Sequence, residues 1–167
     1  QLISIYESLM EMGEQHGLKD FGGQAFNSMR LEKMYRAYGA EFTEEISALE
    51  AGMDRFLDLS RDFIGSDNLR ERKTNGVNTK LAYLVFDDQL PAECFGNEAV
   101  FFGDKLSGII TSGAYGYRVG HSIAFAYIKP EHCKEGTNLT VDTSIGTRKC
   151  HVSMSASYDK DNEKLRV

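Results

Sequence analysis

The chain has 167 residues, of which 41% are hydrophobic and 26% are charged, a composition typical of one soluble globular domain or of one small domain plus part of another. Its apolar content excludes a disordered chain, and no run approaches the roughly 20 apolar residues that would cross a bilayer. The net charge of −6 arises entirely in residues 1–60, so neither part has the basic face that a nucleic acid requires, and we expect no nucleic-acid or membrane partner.

The first predicted element is an amphipathic helix from Leu2 to about His16. Its apolar residues recur with the 3.6-residue period of a helix, and its glutamates lie on the opposite face. Gly17 is a suitable left-handed residue to end this helix. We predict a second helix over residues 24–38, after a pair of glycines.

Arg30 occupies an unusual position in the second predicted helix. Phe26, Arg30 and Met34 are spaced four residues apart and would share one stripe. A guanidinium in an apolar stripe either extends to solvent or is held by a buried acceptor. The wide apolar faces of the helices in residues 1–60 need a covering layer, so we expect this part to lean on β-structure encoded before Gln1.

An acidic connector follows, and then a third helix is predicted from Ser66 to Asn75. Ser66 is a candidate N-cap, the basic residues lie in the later turns, and Gly76 ends the helix.

Beyond Gly76 the sequence predicts five or six short strands separated by glycine turns, which indicates a small antiparallel barrel or sandwich. The predicted strands cover residues 80–86, 99–102, 106–112, 122–128, 139–144 and 148–154. The fold class is therefore α+β. We place a helical unit at residues 1–60, a β-barrel at 61–154, and a polar, poorly ordered tail at 155–167.

The cysteines indicate a reducing compartment. Cys94, Cys133 and Cys150 are odd in number and match no disulfide framework. The adjacent pairs His132-Cys133 and Cys150-His151 do not have the spacing of zinc ligands, and neighbours on a strand point to opposite faces, so we assign no metal.

Two segments resemble the folate-binding aminomethyltransferase superfamily, which includes the glycine-cleavage T-protein. The first is AFNSMRLEK at residues 25–33, and the second is KLSGIITSGAYG at residues 105–116. DFIG at residues 62–65 lies between them in the expected order. The likeness is greatest to the C-terminal region of dimethylglycine and sarcosine dehydrogenases. Phe26 stands where the T-protein branch has a ligand-binding arginine, so that role is not transferred. Asn27 and Lys33 favour the dehydrogenase branch.

The resemblance implies the end of a tetrahydrofolate-binding domain followed by the family's C-terminal β-barrel. It implies transfer of a one-carbon unit from a small methylated amine to tetrahydrofolate, forming 5,10-methylenetetrahydrofolate, with FAD in an upstream domain. The family's catalytic residues would lie before Gln1, so none is assigned here and we expect this chain alone to be inactive. Its partners would be folate, the amine and the remainder of its own chain or domain, in the cytoplasm or the mitochondrial matrix.

The candidate folate-binding residues are Arg30, Tyr115, Tyr117 and Arg118. Arg30 could hold Glu50 or form a wall of the folate site, and Glu32 and Glu50 are structural candidates. The glycines around residues 111–116 could instead serve only a barrel corner or bulge.

Two other functions stay open at this point. The chain could belong to a stand-alone aminomethyltransferase of the glycine cleavage system, which acts without a flavin. It could also belong to a non-catalytic regulatory relative that keeps the fold but not the chemistry.

Overall fold

Three α-helices precede six β-strands in the computed structural model, which describes residues 1–91 and 94–166. The helices are α1 (Leu2–Gly13), α2 (Gly23–Glu32) and α3 (Ser66–Asn75). The strands are β1 (Lys80–Phe86), β2 (Ala99–Phe102), β3 (Lys105–Gly116), β4 (His121–Ile128), β5 (Asn138–Thr143) and β6 (Gly146–Ser153).

The two predicted N-terminal helices exist, but the second is shorter than expected. A short 3-10 turn extends α1 to His16, and Gly17 follows with a φ of 71°, as predicted. By contrast, α2 ends at Glu32 and not at Tyr38. Met34 adopts a φ of 58°, which breaks the helix, so the predicted stripe through Phe26, Arg30 and Met34 does not form.

The third helix has the predicted bounds, although its N-cap differs. Gly65 occupies the cap position with a φ of 88°, and Ser66 is already the first helical residue. The prediction of Ser66 as the cap was wrong because its side chain makes no capping hydrogen bond. Gly76 ends the helix as expected, with a φ of 88°.

The six strands close into an antiparallel barrel in the order β1-β4-β3-β2-β5-β6, and β6 pairs with β1. The barrel prediction is confirmed, and the sandwich alternative is not. Alternate side chains of the strands fill the interior mainly with aliphatic residues and with Cys150, and Cys94 and Cys133 join this core from loops. Two-residue turns join β2 to β3 and β5 to β6.

A register shift in β3 bends the barrel wall beside Thr111. The pairing with β4 shifts between Ile110 and Ser112, which confirms the bulge that the glycine-rich segment suggested. Strand β2 pairs with β3 only as far as Ile109. The edge of β3 over residues 111–116 is therefore left for α2 to cover.

A second apolar cluster lies outside the barrel, between its wall and α2. It joins Leu31 of α2 to outward-facing residues of β1 and β4, including Tyr83 and Phe125, whose ring centroids are 5.4 Å apart. This cluster attaches the helical unit to the barrel.

Helix α1 packs mainly on the short turn that follows it and has no buried residue. Its apolar side chains are exposed, as in Leu2 at 81% and Met12 at 70%. None of the helices in the described part of the chain is long and apolar enough to span a bilayer.

The polar segment after Ser155 makes specific contacts, unlike the poorly ordered tail that the sequence suggested. The amide of Tyr158 donates a hydrogen bond to the carbonyl of Glu32, at 3.0 Å. Lys33 Nζ lies 2.8 Å from Asp159 Oδ2, and both side chains are largely buried. The end of α2 thus supplies partners that composition alone did not reveal.

Candidate functional site

Two polar side chains fasten α2 to the uncovered edge of β3. Asn27 Nδ2 donates to the carbonyl of Gly113 at 3.2 Å, and Ser28 Oγ donates to the carbonyl of Tyr115 at 2.7 Å. These carbonyls point away from β4, and in an extended strand the N–H of the same residue points the same way. The amides of Gly113 and Tyr115 therefore face the same edge as the helix.

A cleft of about 740 Å³ opens beside this junction, between α2, the end of β3 and the segment that precedes β2. Its walls combine apolar and polar groups from those three elements. The lining residues are Gln24, Ala25, Asn27, Ser28, Met29, Glu32, Pro91, Cys94, Phe95, Gly113, Ala114, Tyr115, Tyr117 and Arg118.

Three of the four candidate folate-binding residues line this cleft. The rings of Tyr115 and Tyr117 meet edge to face, with centroids 5.3 Å apart and an interplanar angle of 81°. Arg118 follows in the turn after β3, and its guanidinium lies 5.1 Å from the ring centroid of Tyr158. One end of β3 thus brings together an aromatic pair and a cation.

Arg30 does not line this cleft; it forms a buried ion pair instead. Its Nη1 lies 2.6 Å from Glu41 Oε2, and the two side chains are 7% and 0% exposed. Its Nε donates to Asn27 Oδ1 at 2.9 Å, which orients the amide that bonds to β3. Arg30 does border a second cleft of about 710 Å³ on the far side of Asn27.

Glu41 is the polar centre that holds the connector on the barrel. Its Oε2 also accepts the amide of Ala37 at 2.8 Å, and its Oε1 accepts the hydroxyls of Thr111 and Ser112. The carbonyl of Glu41 accepts the hydroxyl of Tyr127 at 2.7 Å. A fully buried carboxylate is costly unless hydrogen-bond donors and a cation compensate its charge, and Glu41 has both.

The predicted alternative of Glu50 as the partner of Arg30 was wrong. Glu50 Oε2 accepts the amide and the hydroxyl of Ser47, and it lies 3.1 Å from Nη1 of Arg72. Glu50 therefore stabilises the loop before α3, with a half-exposed arginine as its cation.

Glu32 lies at the floor of the first cleft, where it is 4% exposed. Its Oε1 accepts the amide of Arg118 at 2.7 Å. Gly116 permits this approach, because a Cβ at that position would lie 3.2 Å from Glu32 Oε1. The carboxylate thus sets the turn that carries Arg118.

Burial controls the ionisation of the groups around the site. It raises the pKa of Tyr83 to about 12 and also raises the pKa of Tyr127, so both phenols are neutral. Burial lowers the pKa of His121, with the neighbouring His151 acting in the same direction, so His121 is a neutral imidazole at pH 7. Among residues 1–91 and 94–166, no cluster of three or more His, Cys, Asp and Glu side chains could hold a metal ion.

Sequence reasoning missed Glu41 and the contribution of the C-terminal segment. Glu41 lies in an acidic connector without periodicity, next to other glutamates that are exposed, so nothing local distinguished it. Tyr158 lies far along the chain from Arg118, and only folding brings them together.

The first cleft can bind a flat, partly aromatic ligand that carries hydrogen-bonding groups. The tyrosine rings offer stacking surfaces, and the amide of Tyr115 and the side chains of Gln24 and Glu32 offer polar contacts. No described residue of the cleft forms a nucleophile–base pair, so binding and positioning are what this arrangement supports.

Comparison with known families supports this architecture. The family model described as "GCVT N-terminal domain" matches residues 1–61. The model described as "Glycine cleavage T-protein C-terminal barrel domain" matches residues 80–159.

Individual relatives agree with the family models. Mouse mitochondrial dimethylglycine dehydrogenase is 38% identical over 142 residues, which cover 83% of this chain and 16% of that protein. An aminomethyltransferase of Corynebacterium aurimucosum is 37% identical over 159 residues, covering 94% of this chain and 42% of the relative.

A solved structure shares the fold. The glycine cleavage system aminomethyltransferase T from Bartonella henselae superimposes with a TM-score of 0.73 at 18% identity, over 81% of this chain and 38% of that one. The chain thus spans less than half the length of the relatives and the structure that it matches.

Proposed function

The chain belongs to the glycine cleavage T-protein family of aminomethyltransferases, and from this premise we propose that it is part of a tetrahydrofolate-dependent one-carbon transfer module. The parent protein would be a flavoenzyme similar to dimethylglycine or sarcosine dehydrogenase, and the module would form 5,10-methylenetetrahydrofolate. The substrates would be folate and a small methylated amine.

The observation that carries this proposal is the cleft beside the α2–β3 junction. Tetrahydrofolate has a flat heterocycle, a benzoyl ring and a carboxylate tail. The edge-to-face pair Tyr115 and Tyr117 suits the rings, and Arg118 suits a carboxylate. The residues present therefore fit part of such a ligand.

When bound, tetrahydrofolate supplies the nucleophilic nitrogen that accepts the one-carbon unit. The role we assign to this chain is to hold and orient that ligand. Asn27 and Ser28 keep α2 against β3, and the buried pair of Arg30 and Glu41 keeps the connector in place. A rigid wall holds the bound ligand in one orientation, so the reacting groups lose less entropy when they reach the transition state. Catalytic side chains are not assigned to these residues, and we expect the isolated chain to be inactive.

The similarity to dimethylglycine dehydrogenase favours the flavoenzyme branch. Asn27 bonds to β3 through its amide while Phe26 beside it is exposed, so α2 contributes no arginine to the lining of this cleft. FAD would be bound outside the 167 residues, and the protein would act in the mitochondrial matrix or the cytoplasm.

A second candidate is an aminomethyltransferase of the glycine cleavage system. It is supported by the relative from Corynebacterium aurimucosum, whose match covers 94% of this chain. A non-catalytic relative of the same fold is the third alternative. In both alternatives the same cleft would lie beside α2.

Titration of the 167-residue chain with tetrahydrofolate, followed by amide chemical shifts, tests the binding role. We expect shifts at residues 115–118, and affinity about fivefold lower in Tyr117→Ala, since one stacking face contributes about 1 kcal/mol. Tyr38→Ala is the matched control, because Tyr38 is equally exposed but lies outside the cleft. Shifts that avoid residues 115–118, or an unchanged affinity in Tyr117→Ala, would contradict the proposal. Transferase activity of the isolated chain would contradict its expected inactivity.

A further inference from the structure

Arg36 carries a half-buried guanidinium that has no hydrogen-bond partner among residues 1–91 and 94–166. Its Nε is sealed from solvent and donates to none of these residues. The guanidinium carbon lies 5.9 Å from the ring centroid of Phe125, which is fully buried in β4. The turn at Gly52 also approaches, since a Cβ built there would lie 3.4 Å from Nη2 of Arg36. The barrel wall and the connector thus hold this cation without neutralising it.

The charges around Arg36 do not balance. Burial lowers the pKa of Arg36, and the nearby guanidinium of Arg55, from a later turn of the connector, acts in the same direction. Neither arginine forms an ion pair with a residue that the structure describes. The carboxylate that interacts with Arg36 is that of Glu41, which is already paired with Arg30. Burial raises the pKa of the neighbouring Tyr127, so this phenol is neutral. Three guanidiniums therefore share one negative charge in this part of the described chain.

A half-buried guanidinium without an acceptor is costly, because burial removes water from its N–H groups. The two Nη atoms of Arg36 are not sealed, so a ligand can reach them from solvent. Arg55 is exposed, and its guanidinium lies 4.6 Å from the ring centroid of Phe56. Arginine presents a planar fork of N–H donors that matches the oxygens of phosphate and carboxylate groups. The two side chains therefore have the chemistry of an anion site.

We propose that Arg36 and Arg55 form a binding site for a phosphate group. A phosphate carries about two negative charges and three acceptor oxygens, so it can bond to both arginines at once. A carboxylate carries one charge and would leave one of the two cations without a counter-charge. Neither arginine lines the first or the second cleft, so this site goes beyond the proposed function.

Inorganic phosphate and phenyl phosphate are the probes for this site, and acetate is the counterpart with a single charge. Each sodium salt is titrated into the 167-residue chain at about pH 8 and constant ionic strength, with sodium chloride as the balancing salt. The side-chain Nε–H signal of Arg36 is followed by ¹⁵N-edited NMR. We expect a saturable shift with phosphate, at an affinity at least about tenfold above that of acetate, since the second charged hydrogen bond adds this much. This comparison uses the unaltered chain, so it does not depend on the folding of a variant.

Arg55→Gln removes one of the two cations at an exposed position, where it does not disturb the core. We expect it to bind phosphate about tenfold more weakly. Lys105→Gln is the matched control, because it removes one positive charge at an exposed position in the hairpin at the start of β3. Its phosphate affinity should equal that of the parent chain.

Equal affinities for phosphate and acetate, an Arg36 signal that does not shift, or unchanged binding in Arg55→Gln would each overturn the inference. Where the phosphate site is present, the two probes identify the source of the ligand. Tighter binding of phenyl phosphate indicates an organic phosphate ester, and equal or tighter binding of inorganic phosphate indicates the free ion.

Discussion

Replacing Arg30 by alanine removes the cation that contacts the Glu41 carboxylate in the described part of the chain. Glu41 is 0% exposed, so water cannot compensate without opening the interface between the connector and β3. The carboxylate would keep the amide of Ala37 and the two hydroxyls of β3, but its charge would be buried without a partner.

Breaking one partner of a buried ion pair costs about 3–5 kcal/mol in the free energy of unfolding. For a chain of this size, about 1 kcal/mol corresponds to roughly 2–4 °C, so we expect the melting temperature to fall by about 6–20 °C. Arg30 lies outside the first cleft, so tetrahydrofolate affinity, measured where the variant is still folded, should change much less than stability.

Urea unfolding followed by circular dichroism measures the free energy directly. Arg72→Ala is the matched control, because its partner Glu50 is also buried, but the arginine is 45% exposed. Water can replace that arginine, so the control should lose less than about 1 kcal/mol.

Equal losses in Arg30→Ala and Arg72→Ala would refute the argument that burial decides the cost. Unchanged melting together with lost folate binding would refute the structural role of Arg30 and would return it to the ligand site.

Three further predictions concern other parts of the chain. Gly108→Ala should lower the free energy of unfolding, measured in urea, by at least about 3 kcal/mol. The reason is that the new Cβ would lie 1.9 Å from the carbonyl oxygen of Tyr127. A variant as stable as the parent chain would contradict this prediction. Lys33→Ala should release residues 155–166 from α2, because it removes the ion pair with Asp159. Limited proteolysis should then cleave that segment about tenfold faster while the barrel stays intact. A cleavage rate equal to that of the parent chain would count against it. Burial raises the pKa of Cys150 from 9.0 to about 12, so the thiol ionises first in the unfolded chain. The free energy of unfolding should therefore fall as the pH rises from about 9 to about 12. A Cys150→Ser variant that loses as much stability over this pH range would exclude this cause.

The elements that the sequence predicted well are those with a strong local pattern. Strand β1 and helix α3 have the predicted bounds, because an apolar run or a polar helix bounded by glycine needs little context. The end of α2 was placed six residues too late. Its apolar spacing continues past Glu32, but Met34 has a positive φ and packs against the second apolar cluster.

In the candidate site, too, the residues from one continuous segment were predicted and those that depend on distant contacts were not. Tyr115, Tyr117 and Arg118 were selected from one continuous segment at the end of β3, and the structure places all three on one cleft. Their role toward folate stays a prediction. Glu41, by contrast, lies among exposed acidic residues, and no feature of its immediate neighbours distinguishes it.

Periodicity and glycine positions were therefore sufficient to place the strands and most helix ends, since these patterns depend on residues close in the chain. Closure of the barrel depends on contacts between distant segments, because β1 pairs with β4 and β6. The partner of Arg30, the contacts of residues 155–166 and the unpaired guanidinium of Arg36 depended on which distant segments meet. Hydrogen bonds and ion pairs act over a few ångströms in space, and separation along the chain does not predict which groups come within that range.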